Sequence, residues 1–224
     1  MACVRLTVLS GIDLTQVLIA FLVLIFSLTV HEAAHAWSAE RVGDPTARLL
    51  GRVSLNPAVH VDPIGTLVFP LVALTTGLPL IGWAKPVPVN VHNLRGQWRQ
   101  KYMLIAAAGP LSNLALAAVA AVVFRVGAPL LASAGDDMRV SFGLWAAVLL
   151  QMVQLNVLLA VFNMIPVPPL DGGNVLAGLV SGPAAAVLDR LRPYGFVVLY
   201  GLMLSGILWT IVRPVEEMLL SWLL

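Results

Sequence analysis

Four predominantly apolar stretches of this 224-residue chain are each long enough to cross a lipid bilayer as a helix. A spanning helix needs about 20 apolar residues, because the hydrocarbon core is about 30 Å thick. The stretches lie at 14–37, at 102–124, within 140–165, and at 193–212. The pattern therefore predicts an all-α polytopic membrane protein with about four transmembrane helices. The short amphipathic tail, 214–224, is predicted to form an interfacial helix.

A fifth apolar stretch, 63–84, is long enough to cross but is repeatedly interrupted by helix-breaking residues. These residues are Pro63, Gly65, Pro70, Gly77, Pro79 and Gly82. Val87, Val89 and Val91 then alternate with other residues, as in a short strand. We therefore predict a re-entrant or β-hairpin segment over 63–91, which a membrane protein tolerates where the segment lines a cavity.

The distribution of basic residues supports this non-crossing arrangement. Without a crossing at 63–84, one side of the membrane receives Arg41, Arg48, Arg52, Lys85, Arg95, Arg99 and Lys101. Such an excess marks the cytoplasmic side, which places the N-terminus outside. The first and third spans then run in the same direction, and their C-terminal ends meet near the cytoplasmic face.

Composition excludes a soluble domain. Hydrophobic residues make up 59% of the chain and charged residues 11%, whereas soluble domains carry about 25% charged residues. The net charge of +2 gives no reason to expect a nucleic-acid partner. The single cysteine, Cys3, allows no internal disulfide, and one cysteine with four histidines excludes a thiolate zinc cluster. We expect one domain over 1–224, with its catalytic core at about 14–180.

The first apolar stretch could also be a cleavable signal peptide, since its length and the single Arg5 before it would allow one. A small-residue cleavage site does not follow it; the pattern H-E-x-x-H does, as His31-Glu32-Ala33-Ala34-His35. We therefore expect the stretch to be retained.

This pattern has the spacing of a metal site. Residues four apart share a helix face, so His31 and His35 can bind one metal ion, and Glu32 can act as general base on a water molecule there. Ionisable groups at membrane depth are rare and usually functional. The pattern thus indicates a metallohydrolase that works inside a membrane.

A catalytic zinc site generally needs a third protein ligand. Between residues 101 and 189 the acidic candidates are Asp136, Asp137 and Asp171. The first two lie in a turn on the far side of the membrane, whereas Asp171 follows the third span at the predicted depth of His31. Prolines before Asp171 end the helix, and Gly172 and Gly173 allow close backbone approach. An ordinary turn aspartate is the alternative; the depth match favours a ligand.

Three further polar positions have weaker signals. Asn113, in Gly109-Pro110-Leu111-Ser112-Asn113, lies inside the second span, where it could pack helices or orient substrate. His60 and Asp62 could form an accessory site, but a satisfied loop network is the favoured interpretation. His92 has no motif around it and receives no role.

Taken together, these residues resemble the site-2 protease family of intramembrane zinc metalloproteases, in its compact prokaryotic branch without a PDZ or CBS domain. The resemblance covers about 20–180 and is carried by the segments 31–35, 43–48, 51–57, 60–66, 82–90, 109–113 and 163–173. One departure is Val91, where many relatives have proline. The resemblance implies that His31, His35 and Asp171 bind one zinc ion and that Glu32 is the catalytic base. It also implies an active-site role for Asn113 and an edge for extended substrate at 82–90.

The implied activity is hydrolysis of peptide bonds in or beside the transmembrane segments of protein substrates. The expected setting is the lipid bilayer of a bacterial inner membrane, with the active site near the cytoplasmic face. A transporter that moves metal ions or protons through intramembrane His and Asp residues is the alternative, although it should show internal repeats. A non-catalytic scaffold should have lost a ligand. The sequence indicates neither the substrate nor the oligomeric state.

Overall fold

The computed structural model describes residues 14–68, 72, 84–132 and 136–224, and the regular structure of these residues is helical. The helices in chain order are α1 (Leu14–Arg41), α2 (Thr46–Leu49), α3 (Trp98–Ala132), α4 (Asp136–Asn163), α5 (Asp171–Leu179), α6 (Pro183–Leu191), α7 (Gly195–Leu204) and α8 (Ile207–Leu223). Short 3-10 or π-helical turns occupy Pro57–Val59, Pro63–Val68, Val91–Asn93 and Arg192–Tyr194.

Three of these helices are long and apolar enough to cross a membrane. Their spanning parts are Thr15–Arg41, Trp98–Pro129 and Gly143–Asn163. They correspond to the first three predicted spans, which are thereby confirmed. α1 and α3 extend beyond the predicted apolar stretches 14–37 and 102–124, because the residues that flank these stretches continue the same helices.

The fourth predicted span, 193–212, is divided into two helices. α7 ends at Leu204, α8 begins at Ile207, and the two segments are bent by 77° at the break. Gly206 between them has a φ of +77°, a left-handed conformation that ends a helix and that glycine adopts without steric penalty. The signal in the sequence was the Ser205-Gly206 pair. Counted as one bent span, this pair of helices brings the number of candidate spans among the described residues to four.

The boundary predicted at Pro214 is wrong, because α8 continues through this proline to Leu223. Three leucines beyond it, Leu219, Leu220 and Leu223, pack against buried residues of α3 and α4. This packing holds the helix together across a position where proline removes one backbone hydrogen bond. The tail predicted as a separate interfacial helix is therefore the second half of α8 and lies against the bundle.

Contacts between the long helices fix their relative directions. The pairs that touch are His35 with Ile105, His31 with Asn113, Asn113 with Asn156, and Phe124 with Trp145. α3 therefore runs antiparallel to both α1 and α4. The first and third spans run in the same direction, as predicted. Small residues, Ala117, Ala120 and Ala121, let α3 approach Val153 and Val157 of α4 closely.

The structure describes only part of the interrupted apolar stretch 63–84. Pro63–Val68 forms a π-helical turn, whereas residues 69–71 and 73–83, with most of the predicted re-entrant segment, lie outside the described residues. Residues 84–90 contain no helical turn, and within the described chain they pair with no strand. Val91 begins a 3-10 turn. The strand predicted at 87–91 is therefore an unpaired segment that ends one residue earlier.

Two anchors hold this segment, 84–90, against the end of α1. At its start the Lys85 amide donates to the His60 carbonyl (2.8 Å), and the Arg52 guanidinium donates to the Lys85 carbonyl. At its other end the carboxylate of fully buried Asp44 accepts from the Asn90 amide (2.7 Å) and from the Asn93 side chain (2.7 Å). The backbone amide (3.1 Å) and hydroxyl (2.5 Å) of Thr46 donate to the same carboxylate.

Asp44 makes the stability of the protein dependent on pH. Burial raises the pKa of Asp44, but the hydrogen bonds from Asn93, Thr46 and Asn90 outweigh burial and lower it below its usual value. The stabilisation is therefore complete above the unfolded pKa of about 3.9 and is lost as pH falls through the lower folded pKa.

Asp44→Ala should lower the free energy of unfolding by about 1–3 kcal/mol at pH 7 and by much less in acid. Thermal unfolding in detergent at pH 7 and in acid measures both, with the exposed Asp189→Ala as control; equal destabilisation at both pH values would contradict the prediction.

Candidate metal centre

Two histidines of α1 and the first residue of α5 meet at one buried point. The Nε2 atoms of His31 and His35 are 3.1 Å apart, and Asp171 Oδ2 lies 3.1 Å from the first and 3.3 Å from the second. Both histidines are buried, and Asp171 is partly buried. The convergence of these three residues, expected from the count of membrane crossings, is what the structure shows.

The chain after α4 brings Asp171 back to α1 through a tight proline-rich turn. A Cβ on Gly172 would lie 2.2 Å from the Met164 carbonyl oxygen, and one on Gly173 would lie 2.8 Å from the Pro168 nitrogen. Only glycine fits at either position, because both contacts are with backbone atoms that cannot rotate away. The two glycines after Asp171 thus let α5 begin in contact with the turn that precedes it.

Hydrogen bonds at the opposite ring nitrogens decide which atoms of the histidines face this point. His35 Nδ1 lies 2.7 Å from the carbonyl oxygen of Ile105, which can only accept, so this nitrogen carries the proton. His31 Nδ1 lies 2.6 Å from Asn113 Oδ1 and donates to it in the same way. In neutral rings the two Nε2 atoms therefore present lone pairs to each other and to the aspartate.

This donor set fits a zinc ion. Asp171 Oδ2 is buried and has no hydrogen-bond partner within the described chain, so two lone pairs and a carboxylate oxygen face one another unsatisfied. Zinc bound tetrahedrally at about 2.0–2.1 Å would separate its ligand atoms by about 3.3 Å, close to the 3.1–3.3 Å edges of this triangle. Three protein ligands with an open fourth position are typical of catalytic zinc sites.

α3 contributes space to the centre. A Cβ on Gly109 would lie 2.5 Å from His31 Nε2 and 2.4 Å from His35 Nε2. Glycine at this position leaves room directly beside the two nitrogens. The sequence showed Gly109 only as the residue before a proline kink, so this role and that of the Ile105 carbonyl were not predicted.

A cavity of 560 Å³ opens onto the triad. Glu32, only 9% exposed, lines it together with His31, His35 and Asp171. The remaining wall is mainly apolar and comes from α1, the turn at 63–68, the 84–90 segment, α3, α4, α5, α7 and α8. Glu32 thus shares a largely apolar cavity with the candidate metal ligands.

Other predicted positions lie elsewhere. Asn113 is fully buried behind His31, does not line the cavity, and contacts His31 and Asn156 with its side chain. His60 bonds to the Ser54 carbonyl and faces Arg52, and Asp62 accepts from the amides of Ile64 and Gly65, which makes them the loop network that was favoured. His92 is exposed. Asp136 and Asp137 begin α4, at the end opposite the triad.

A membrane protein of apolar helices that assembles a buried His–His–Asp triad beside a cavity has the architecture of an intramembrane metalloenzyme. The sequence model of Peptidase family M50 matches residues 19–204, and the chain belongs to this family.

Curated relatives agree with this assignment. "Putative zinc metalloprotease YwhC" of Bacillus subtilis (strain 168) is 35% identical over 206 residues, covering 88% of this chain and 87% of that protein. "Putative zinc metalloprotease Rip2" of Mycolicibacterium smegmatis is 29% identical over 185 residues, and that of Mycobacterium tuberculosis H37Rv 30% over 184. The match covers 64% of the length of each of these two Rip2 proteins. No solved structure matches the chain. The protein is thus an intramembrane zinc metalloprotease, and the transporter alternative is not favoured.

Gly109→Ala should abolish or strongly reduce zinc binding, because its methyl group would press against both Nε2 atoms. Zinc content of the detergent-purified protein, measured by atomic emission, tests this. Gly127→Ala is the matched control: it lies on the same helix and crowds the Trp145 ring at 2.3 Å, far from the triad. It should lower stability and leave zinc content unchanged. Full zinc content in Gly109→Ala would contradict the geometry described.

Proposed function

We propose that His31, His35 and Asp171 hold one zinc ion per chain and that Glu32 is the general base in peptide-bond hydrolysis. The observation that carries this proposal is the convergence of two Nε2 lone pairs and an unsatisfied carboxylate oxygen on one point of a cavity that Glu32 also lines. A zinc ion held by these residues would polarise a carbonyl group and lower the pKa of a water molecule.

Glu32 supplies the proton transfers. Its carboxylate removes a proton from the water that attacks the scissile carbonyl carbon and then delivers this proton to the amide nitrogen as the C–N bond breaks. The products are one carboxylate and one amine. The apolar wall around Glu32 limits bulk water, so the carboxylate meets the substrate in a low-dielectric setting.

The substrates are membrane proteins, and we propose that their transmembrane segments are cleaved in an extended form. A helix keeps its peptide bonds within its own hydrogen-bond ladder, so the segment must first unwind. Pro86, Val87 and Val89 line the cavity, and the amides of Val87 and Val89 make no hydrogen bond within the described chain. An extended substrate can pair with them as an added strand.

Pro86 and Pro88 leave the 84–90 segment with N–H donors on one edge only. In an extended backbone, successive residues direct their N–H and C=O groups to opposite edges. Val87 and Val89 therefore offer donors on one edge, whereas Pro86 and Pro88 offer none on the other. The anchors at Lys85 and Asn90 hold the segment at both ends while its middle remains available.

We further propose that the centre lies near the cytoplasmic face of a bacterial inner membrane, with the N-terminus outside and the whole chain, 1–224, forming one protease domain. The support is the run of basic residues between α1 and the start of α3, at the end of the bundle where the triad lies.

Glu32→Gln should abolish cleavage of a transmembrane substrate while zinc remains bound, because the amide cannot accept the water proton and Glu32 is not a ligand. Substrate cleavage in reconstituted vesicles and zinc content of the same sample give the two readouts. Asp171→Ala should lose both activity and zinc, so the two variants together distinguish a general base from a metal ligand. Undiminished cleavage by Glu32→Gln would refute the proposed role.

Val87→Pro should weaken substrate docking, because it removes one N–H donor from the proposed edge without touching the triad. Loss of one hydrogen bond predicts about a fivefold to tenfold fall in kcat/KM, expressed mainly in KM. Val87→Ala, which keeps the N–H, is the control and should differ little from the parent. Equal kinetics of the proline and alanine variants would argue against strand addition at this segment.

A further inference from the structure

Three buried polar side chains connect the three long helices inside the bundle. Ser27 of α1, Asn113 of α3 and Asn156 of α4 are each fully buried. Asn156 donates to Ser27 Oγ at 2.9 Å, and Asn113 donates to Asn156 Oδ1 at 2.7 Å. Polar groups are costly in an apolar bundle unless they are bonded, so each of these contacts has a structural reason to exist. The row they form ends at His31.

The direction of every bond in this row is determined by one backbone carbonyl. The Met152 oxygen can only accept, and Asn156 Nδ2 lies 2.8 Å from it, so this atom must be the amide nitrogen. Asn156 Oδ1 is then the atom that faces Asn113, and only the Asn113 nitrogen can donate to it. Asn113 therefore presents its oxygen to His31 Nδ1, and that nitrogen must carry the ring proton.

We propose that Asn156 is a positioning residue of the metal centre, acting through Asn113 to hold His31 in the tautomer that binds metal through Nε2. The inference rests on the proposed function, since it assigns His31 as a ligand. A reversed Asn113 amide would direct its N–H₂ at His31 Nδ1 and favour the tautomer with a proton on Nε2, which cannot bind the metal.

The two histidine ligands depend on different kinds of support. The Nδ1 of His35 is held by the Ile105 carbonyl, part of the α3 backbone, so its tautomer depends on no side chain beyond its own. The tautomer of His31 depends on two amide side chains that could each adopt either orientation. Asn156 removes this ambiguity, and it lies outside the cavity, where it cannot touch substrate.

The test measures zinc affinity by chelator competition, together with the visible spectrum of the cobalt-substituted enzyme. Outer-shell partners change metal affinity by about 10–100-fold, and we expect losses of this size in Asn113→Leu and about tenfold in Asn156→Leu. If Asn156 acts through Asn113, the double variant should bind zinc no more weakly than Asn113→Leu alone. Additive losses of affinity, or an unchanged affinity in Asn156→Leu, would overturn the proposal.

Two further variants separate positioning from folding. Asn156→Thr keeps a hydroxyl that can bond to the Met152 carbonyl four residues back, as Thr29 bonds to Ile25 (2.7 Å), but it is too short to reach Asn113. It should fold normally and still lose about tenfold in zinc affinity. Thr29→Val removes a buried hydroxyl of α1 that takes no part in the row and should leave affinity unchanged. An Asn156→Thr enzyme with parental affinity would overturn the proposal even if Asn156→Leu fails to fold.

Zinc binding by the unmodified protein and by His31→Ala distinguishes an error in the positioning role of Asn156 from an error in the assignment of the metal centre. If the parent binds no zinc, or His31→Ala binds it as tightly as the parent, the assignment of the centre is wrong and the positioning role falls with it. If the parent binds one zinc ion that His31→Ala loses, while the Asn156 variants keep parental affinity and cobalt spectrum, only the positioning role is refuted.

Discussion

Two imidazole nitrogens and one carboxylate oxygen held about 3 Å apart, with no proton between them when both rings are neutral, form the arrangement on which this structure depends. Such a group is unfavourable unless a cation completes it, and it exists only because other parts of the bundle impose it. α3 fixes both rings from behind and leaves space beside them at Gly109. Asp171, the first residue of α5, supplies the carboxylate.

Much of this centre could be predicted from the sequence, because it depends on residue spacing within one helix and on the number of membrane crossings. The spacing of His31 and His35 places them on one helix face, and counting crossings brought Asp171 to the same depth. Asn113 was predicted near the site, but its contacts with His31 and Asn156 could not be, because one partner is 82 and the other 43 residues away. Asn156 carried no local motif, so only the packed structure could connect it to the site.

The C-terminal region was predicted less well for a different reason. Apolar length alone suggested one straight span and a separate tail, whereas a single left-handed glycine divides the span and leucine packing carries the next helix across Pro214. Both outcomes depend on backbone conformation and side-chain packing, which the hydropathy of the sequence does not report. α7 and α8 still matter for the site, since Leu199, Met203 and Trp209 form part of the cavity wall.

The alternation of proline and valine in the 84–90 segment also bears on how the protein behaves among its own copies. An exposed strand edge with donors on both sides can recruit one chain after another and grow into an aggregate. Pro86 and Pro88 remove the N–H donors from one side, so a further strand finds a row of donors on only one edge of this segment. Under the proposed function, this segment accepts an unwound substrate chain at one edge and presents no second row of donors to another copy.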